Sequence, residues 1–337
     1  MKSAPAPKGF TLLELLVAVV ITLVLAAVML AVTTGTLNLW RRTQDNAAVS
    51  AQARLALDMI ERDLQAALHR QEGTGTAWLA ADVINHPAGL SAHGWRTAAF
   101  MKPAGAESQR LAPSPGNGRV PAIADARFGL SGVWLRFITT NIDANGSVPV
   151  AVSYQTVRRP VSGSSADPAN PADVRYSLFR SAVAADTTFA AGYSVTAAAY
   201  AGTAAASSTA RAASTLTNPY TAGDALATNV VDFGVWLYVR DSTGALRRIY
   251  PADNTDLAHA TSDAANPGDS GRYPEVADVM VRILTDEGAR RLDAMEQANG
   301  SITRPGDQAG DAEWWWGVVE ADSRVFCRRI EIKGGAG

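Results

Sequence analysis

Cysteine is almost absent from this chain. Cys327 is the single one in 337 residues, which leaves no intrachain disulfide, no Cys-cluster zinc site and no CxxC redox chemistry. The four histidines, His69, His86, His93 and His259, fall in no HExxH pattern and at no metal-ligand spacing. His86 and His93 read as exposed loop residues. No P-loop sequence occurs, so an assembly ATPase of that kind is excluded, and the pairs Gly73-x-Gly75 and Gly116-x-Gly118 read as turns. No serine stands in a Gly-x-Ser-x-Gly elbow. Neither charge sign is in excess: 30 Lys and Arg face 32 Asp and Glu, for a net charge of −2. That balance gives no overall basic surface for nucleic acid. The expectation is a chain with no enzymatic activity and no cofactor.

What the chain does have is one long apolar run behind a short basic leader. From Phe10 to Val32 the only formal charge is Glu14. Twenty-three residues at about 1.5 Å each make roughly 35 Å of helix, enough to cross a bilayer core of about 30 Å. The run is too long for a signal-peptide core and no small-residue cleavage site interrupts it. An ionised acid in hydrocarbon costs a few kcal/mol or more, so Glu14 is expected to have a partner and a role. A cut after Gly9 would give Phe10 a new α-amine one helical turn away, and that amine and the helix N-terminus are both positive. The plainer alternative is an uncleaved signal anchor that tolerates Glu14 near the interface.

Lys8, Gly9, Phe10, Thr11, Leu12, Leu13 and Glu14 together resemble the class III signal of type IV prepilins and type II secretion pseudopilins. The resemblance implies cleavage between Gly9 and Phe10 by a prepilin peptidase, with Lys8 as the basic residue before the cut, and N-methylation of Phe10. It also implies that Glu14 contacts the terminal amine of a neighbouring subunit during assembly. A single-pass inner-membrane protein follows, with residues 1–9 as leader and 10–32 as the transmembrane and assembly helix. Its globular part would lie in the periplasm, and the subunit would be extracted into a pseudopilus. The implied fold is α+β and pilin-like: a long N-terminal helix packed on an antiparallel β-sheet head with long loops.

Downstream, Ala53, Leu57, Ile60, Leu64 and Leu68 recur at one helical face, so an amphipathic helix is expected over 33–72, running to about Arg70. Thr33-Thr34-Gly35-Thr36 marks a soft spot where a kink or a melted turn is the alternative to an unbroken helix. Residues 73–337 read as a β-rich head. Pro and Gly punctuate 73–126, which predicts loops, with Trp78, Trp95 and Phe100 as small anchors. Strands are expected at 133–139, 148–157, 174–180, 229–241, 246–250 and 274–284, with turns at 143–146 and 241–244. A helix is expected from Asp286 to Ala298, and strands at 318–319 and 325–332 to finish the sheet. Residues 182–228, rich in Ala, Thr and Ser, read as a long surface loop or insertion, with small-residue strands as the alternative.

The Tyr273-Pro274 entry into Val276–Leu284 and the Tyr-x-Leu-x-Arg strand around Tyr176 are similar to J-type minor pseudopilins, and the long insertions resemble the Verru_Chthon cassette pseudopilins. This implies other pseudopilins or pilins as partners, and a secreted protein as a further one. Trp314, Trp315 and Trp316, read as a strand, are candidates for core and partner contact. Cys327 reads as a small core residue. Glu275 and Asp278 would point to opposite faces and make a poor acid–base pair. Asp143, Asn145 and Asp253 lie in no calcium loop. A minor pilin for DNA uptake or adhesion is the alternative, resting on the doublets Arg158-Arg159, Arg247-Arg248 and Arg328-Arg329. A membrane-anchored enzyme is a third.

Overall fold

The computed structural model describes residues 11–70, 76–83, 133–143, 146–160, 174–197, 225–251, 258–261, 271–297 and 311–333. The chain divides into two units, residues 1–48 and 49–337. Helix α1 spans Leu12–Gln65 and contributes to both.

In the first unit α1 stays helical through Thr33-Thr34-Gly35-Thr36, so the soft spot does not break it. The threonine hydroxyls fold back onto the helix. Thr33, Thr34 and Thr36 donate to the carbonyls of Met29, Leu30 and Val32 at 2.8, 2.9 and 2.8 Å. Each polar group is thereby satisfied inside the helix, as an apolar solvent requires.

In the second unit α1 buries one stripe: Val49, Ala53, Ala56, Leu57, Ile60 and Leu64 are all buried. Fully burying Leu57, Ile60 and Leu64 is worth roughly 1.5–3 kcal/mol each. The helix stops at Gln65 rather than near Arg70, although no Gly or Pro ends it. Strand β2 (Val133–Asp143) takes over its last carbonyls. The Thr139 hydroxyl donates to Asp63 O at 2.8 Å and the Thr140 N–H to Ala66 O at 3.3 Å. Leu68 N–H in turn donates to Ile138 O at 2.9 Å, so residues 66–68 join the sheet instead of continuing the helix.

Two antiparallel sheets share the core with this stretch of helix. The larger contains β1 (Leu79–Val83), β2, β3 (Gly146–Pro160), β4 (Val174–Ala182), β5 (Ala225–Thr228) and β8 (Ala258–Ala260), in the order β5-β4-β3-β2-β1-β8. The smaller has the order β10-β9-β6-β7, with β6 at Val230–Arg240, β7 at Leu246–Tyr250, β9 at Val276–Leu284 and β10 at Ser323–Glu331. Alternation sorts the faces. Leu79, Leu135, Phe137, Val152, Tyr154 and Leu178 of one sheet join Phe233, Val235, Leu237, Val279 and Val281 of the other in one core with α1. Central strand β9 is buried along its whole length, whereas edge strand β10 alternates.

Five expectations need correction. Residues 73–126 include strand β1, which pairs with β2 from Leu79↔Phe137 to Val83↔Val133; Ala80 and Ala81 are small enough for close pairing, and that hides the strand from a pattern of large residues. The Ala-rich 182–228 stretch contains helix α2 (Ala185–Ala190) and β5. A buried hydroxyl ties α2 to β3: Thr188 Oγ1 accepts from Ala151 N–H at 3.1 Å and donates to Ala184 O at 3.0 Å. Trp314–Trp316 and Val318-Val319 lie in helix α4 (Asp311–Asp322), not in strands. Val318 and Val319 pack with Leu284, Ala289 and Leu292, a helix-to-helix contact that a two-residue apolar run cannot reveal. Cys327 is exposed, not buried, because its position on β10 faces away from Phe326, Arg328 and Ile330. Finally, the head holds two sheets where one was expected. Trp95 and Phe100 lie outside the described residues.

One buried carboxylate joins the helix to the larger sheet. Asp63 is 3 % exposed, and its Oδ2 accepts from the Tyr154 hydroxyl at 2.5 Å and from Arg180 Nε at 2.7 Å. Burial and the neighbouring Asp63 charge push the Tyr154 phenol well up from its ordinary range, so it stays a donor. Asp63→Ala strands the Arg180 cation against the core and should cost about 3 kcal/mol; Tyr154→Phe should cost about 1 kcal/mol. Urea denaturation of the detergent-solubilised chain measures both, and a loss below about 1 kcal/mol for Asp63→Ala would contradict the anchoring role.

A second close approach lies between α3 (Asp286–Gln297) and α4. Thr285 caps α3, its hydroxyl accepting from Gly288 N–H at 3.1 Å. A Cβ on Gly288 would overlap Asp322 Cβ and crowd Leu284. Gly288→Ala should therefore destabilise by about 1–3 kcal/mol, although alanine is the better helix former. A higher midpoint in thermal unfolding would disprove the clash.

Candidate functional site at the start of the apolar helix

The described chain opens on the residues that the sequence singles out. Lys8, Gly9 and Phe10 lie outside the described residues; Thr11 and Glu14 lie within them. Helix α1 starts at Leu12, which makes Thr11 its N-cap and Glu14 its third residue. The Thr11 N–H donates to Glu14 Oε2 at 2.9 Å, and the Thr11 hydroxyl donates to the same oxygen at 2.9 Å. Glu14 N–H points back at Thr11 Oγ1 across 3.3 Å. This is a capping box, in which two otherwise orphaned helix donors are satisfied reciprocally. The carboxylate also sits where the helix dipole is positive.

The cap adds Thr11 to the residues that hold Glu14, and its local signal is Thr-x-x-Glu ahead of an apolar run. The arrangement fixes the Glu14 side chain against its own backbone and aims Oε2 at the helix start.

Everything after this cap is an apolar surface. Leu12, Leu13, Leu15 and Leu16 are 83, 71, 62 and 54 % exposed, and exposure continues along the helix. Leu12–Leu37 is long and apolar enough to cross a membrane. Such a face without a protein partner is a large interaction surface for lipid or for other helices.

The other candidates resolve differently. Trp314, Trp315 and Trp316 lie in helix α4 rather than in a strand; their side chains lie outside the described residues. Arg328 pairs with Asp58 at 2.5 Å and Glu61 at 2.6 Å of α1. Arg329 holds Asp278 through two bonds of 2.7 Å, and Tyr238, pushed up to about 12 by burial and the Asp278 charge, donates to the same group at 3.1 Å. Arg248 lies over the Trp236 ring at 4.2 Å. Arg248, Arg328 and Arg329 are thus engaged within the fold. Arg158 and Arg159 have side chains outside the described residues.

Glu275 and Asp278 are likewise tied to structure: Glu275 accepts from Arg240 N–H at 3.1 Å, and Asp278 serves Arg329. Among the described residues no three His, Cys, Asp or Glu side chains group as metal ligands. Asn145, Asp253, His86 and His93 lie outside the described residues.

Comparison with known proteins bears on this end of the chain. Residues 6–30 match the family model of the prokaryotic N-terminal methylation motif. No curated protein and no solved structure matches the chain. The chain thus carries a prepilin-type signal on an apolar helix, and the motif indicates a protein of pilin or pseudopilin type.

Proposed function

We propose that the chain is a non-enzymatic minor pseudopilin, a structural subunit of a type II secretion pseudopilus or a related pilus-like filament used in protein export. The observation that carries this reading is the methylation motif at residues 6–30, set on a helix whose apolar surface carries a single carboxylate near its start. A prepilin peptidase cuts between Gly9 and Phe10, and the new Phe10 terminus is methylated. The α1 helices of neighbouring subunits then pack through their apolar faces, other pseudopilins or pilins being the partners. The β-rich unit lies in the periplasm, where it meets the other minor subunits and an exported protein.

Glu14 supplies the pairing. Oε2 is held by Thr11, and Oε1 of the same carboxylate accepts from the Phe10 ammonium of the next subunit. A charge-assisted contact in a low-dielectric setting is stronger than its equivalent in water. It also removes the cost of leaving either charge unpaired in hydrocarbon. Engagement of Arg248, Arg328 and Arg329 inside the fold weighs against a nucleic-acid role.

Two measurements test this. In cells that hold a prepilin peptidase, mass spectrometry of the purified protein should find a chain that begins at Phe10 and carries one extra methyl group; an intact leader would overturn the reading. Glu14→Ala should still insert in the membrane but lose filament incorporation by about tenfold or more, the scale of one lost charge-assisted pair of about 1.5–3 kcal/mol. Incorporation at the wild-type level would remove Glu14 from the mechanism. Thr11→Val should weaken the start of α1 by about 1 kcal/mol, seen as faster amide exchange at Leu13 and Glu14 in micelles.

A further inference from the structure

Among the described residues, one sheet edge is closed by a short strand. Strand β8 closes the larger sheet against β1 with three pairs, Ala80↔Ala260, Ala81↔His259 and Asp82↔Ala258. Thr261 completes the attachment. Its N–H donates to Leu79 O at 2.9 Å, and its hydroxyl oxygen accepts from the N–H groups of Trp78 at 2.9 Å and Leu79 at 3.1 Å. Ala258 and Ala260 add little side-chain surface, so the large buried side chain of this segment is His259, 3 % exposed.

Neither ring nitrogen of His259 has a well-formed hydrogen bond, and the group that approaches the ring is the Arg272 backbone. The imidazole lies 5.9 Å, centroid to centroid, from Tyr250 at the end of β7, and opposite Ala81 on β1. The titratable and charged groups around it can be named. Tyr250 faces it from β7. Arg272 precedes β9, and its backbone favours a charged ring; Tyr273 follows and stacks on His69 at 4.3 Å. Arg136 of β2 acts on Tyr250 by its charge. Asp82 pairs with Ala258, which puts it on the opposite face of β1 from Ala81. No carboxylate among the described residues stabilises a charged His259.

We propose that β8 is an acid-opened latch: when His259 takes up a proton, residues 258–261 leave the edge of β1 while the two-sheet core stays folded. A buried charge without a counter-charge is costly, and one backbone contact from Arg272 does not offset the burial, whereas the segment is held by a few hydrogen bonds of modest net value. Opening is therefore the easier response to protonation. Burial holds the His259 imidazole down to about 4 in the closed form, and a detached, solvated ring returns to its ordinary value of about 6.5. The open form then binds more protons than the closed one. Closure is fully favoured above about pH 6.5 and is lost as pH falls towards about 4, the open population growing about tenfold per pH unit in between. Opening leaves β1 as the sheet edge, with unpaired N–H and C=O groups of the kind to which an extended segment adds.

Amide hydrogen–deuterium exchange of the detergent-solubilised full chain, at about pH 7 and about pH 4.5 with intrinsic rates corrected, tests the latch. Protection of Trp78, Leu79 and residues 258–261 should fall by about tenfold or more in acid, while Val276–Leu284 keeps its protection. In His259→Leu, and independently in His259→Gln, that acid step should vanish. The proposal is overturned if wild-type protection at Trp78, Leu79 and 258–261 is unchanged at the lower pH, if β9 loses protection in step with β8, or if either folded variant keeps the acid step.

Discussion

The buried Asp63 carboxylate is the contact on which the globular unit depends. A helix crossing a sheet can slide and rotate if apolar contacts alone hold it, because burial is non-directional. Asp63 removes that freedom by accepting from Tyr154 on β3 and Arg180 on β4, while its own carbonyl accepts from Thr139 on β2. Three neighbouring strands are thereby referred to one helical residue. The apolar stripe from Val49 to Leu64 supplies the area, and the carboxylate supplies the register. Such a group is expensive to bury and is retained because its partners are complete.

The second constraint is solvent. Helix α1 is one continuous element, yet its surface obeys two rules. In the first unit its large apolar side chains are exposed and its threonine hydroxyls fold back onto the backbone, which suits an apolar surrounding. In the second unit its apolar stripe is covered and its acids reach outward, Asp58 and Glu61 to Arg328 on β10. That pairing also occupies part of an edge strand, the place where a sheet is most open to unwanted partners.

The functional end of the chain was legible because its signal is local. A basic leader, Gly9-Phe10, a carboxylate at Glu14 and an unbroken apolar run need no tertiary structure to be recognised, and the α+β character followed from runs such as Val230–Arg240 and Val276–Leu284. The capping role of Thr11 is equally local, written as Thr-x-x-Glu. Strand β1 and helix α2 were not legible in this way. Alanine-rich segments carry almost no periodic signal, and their structure comes from what they pack on, Ala80 on Trp134 and Ile138, Thr188 on the β3 backbone.

By itself, then, the sequence determined the apolar helix, its lone carboxylate and most of the long strands, since each depends on residues close together in the chain. Tertiary structure alone decided the end of α1 at Gln65, the division of the strands into two sheets, the helical state of Trp314–Trp316 and the exposure of Cys327. Each of these is set by groups far apart in sequence: β2 carbonyl and hydroxyl partners for the helix end, Leu284 and Ala289 for α4, the pairing of β10 with β9 for the cysteine. Non-local contacts of this kind leave no mark on the segment that they shape.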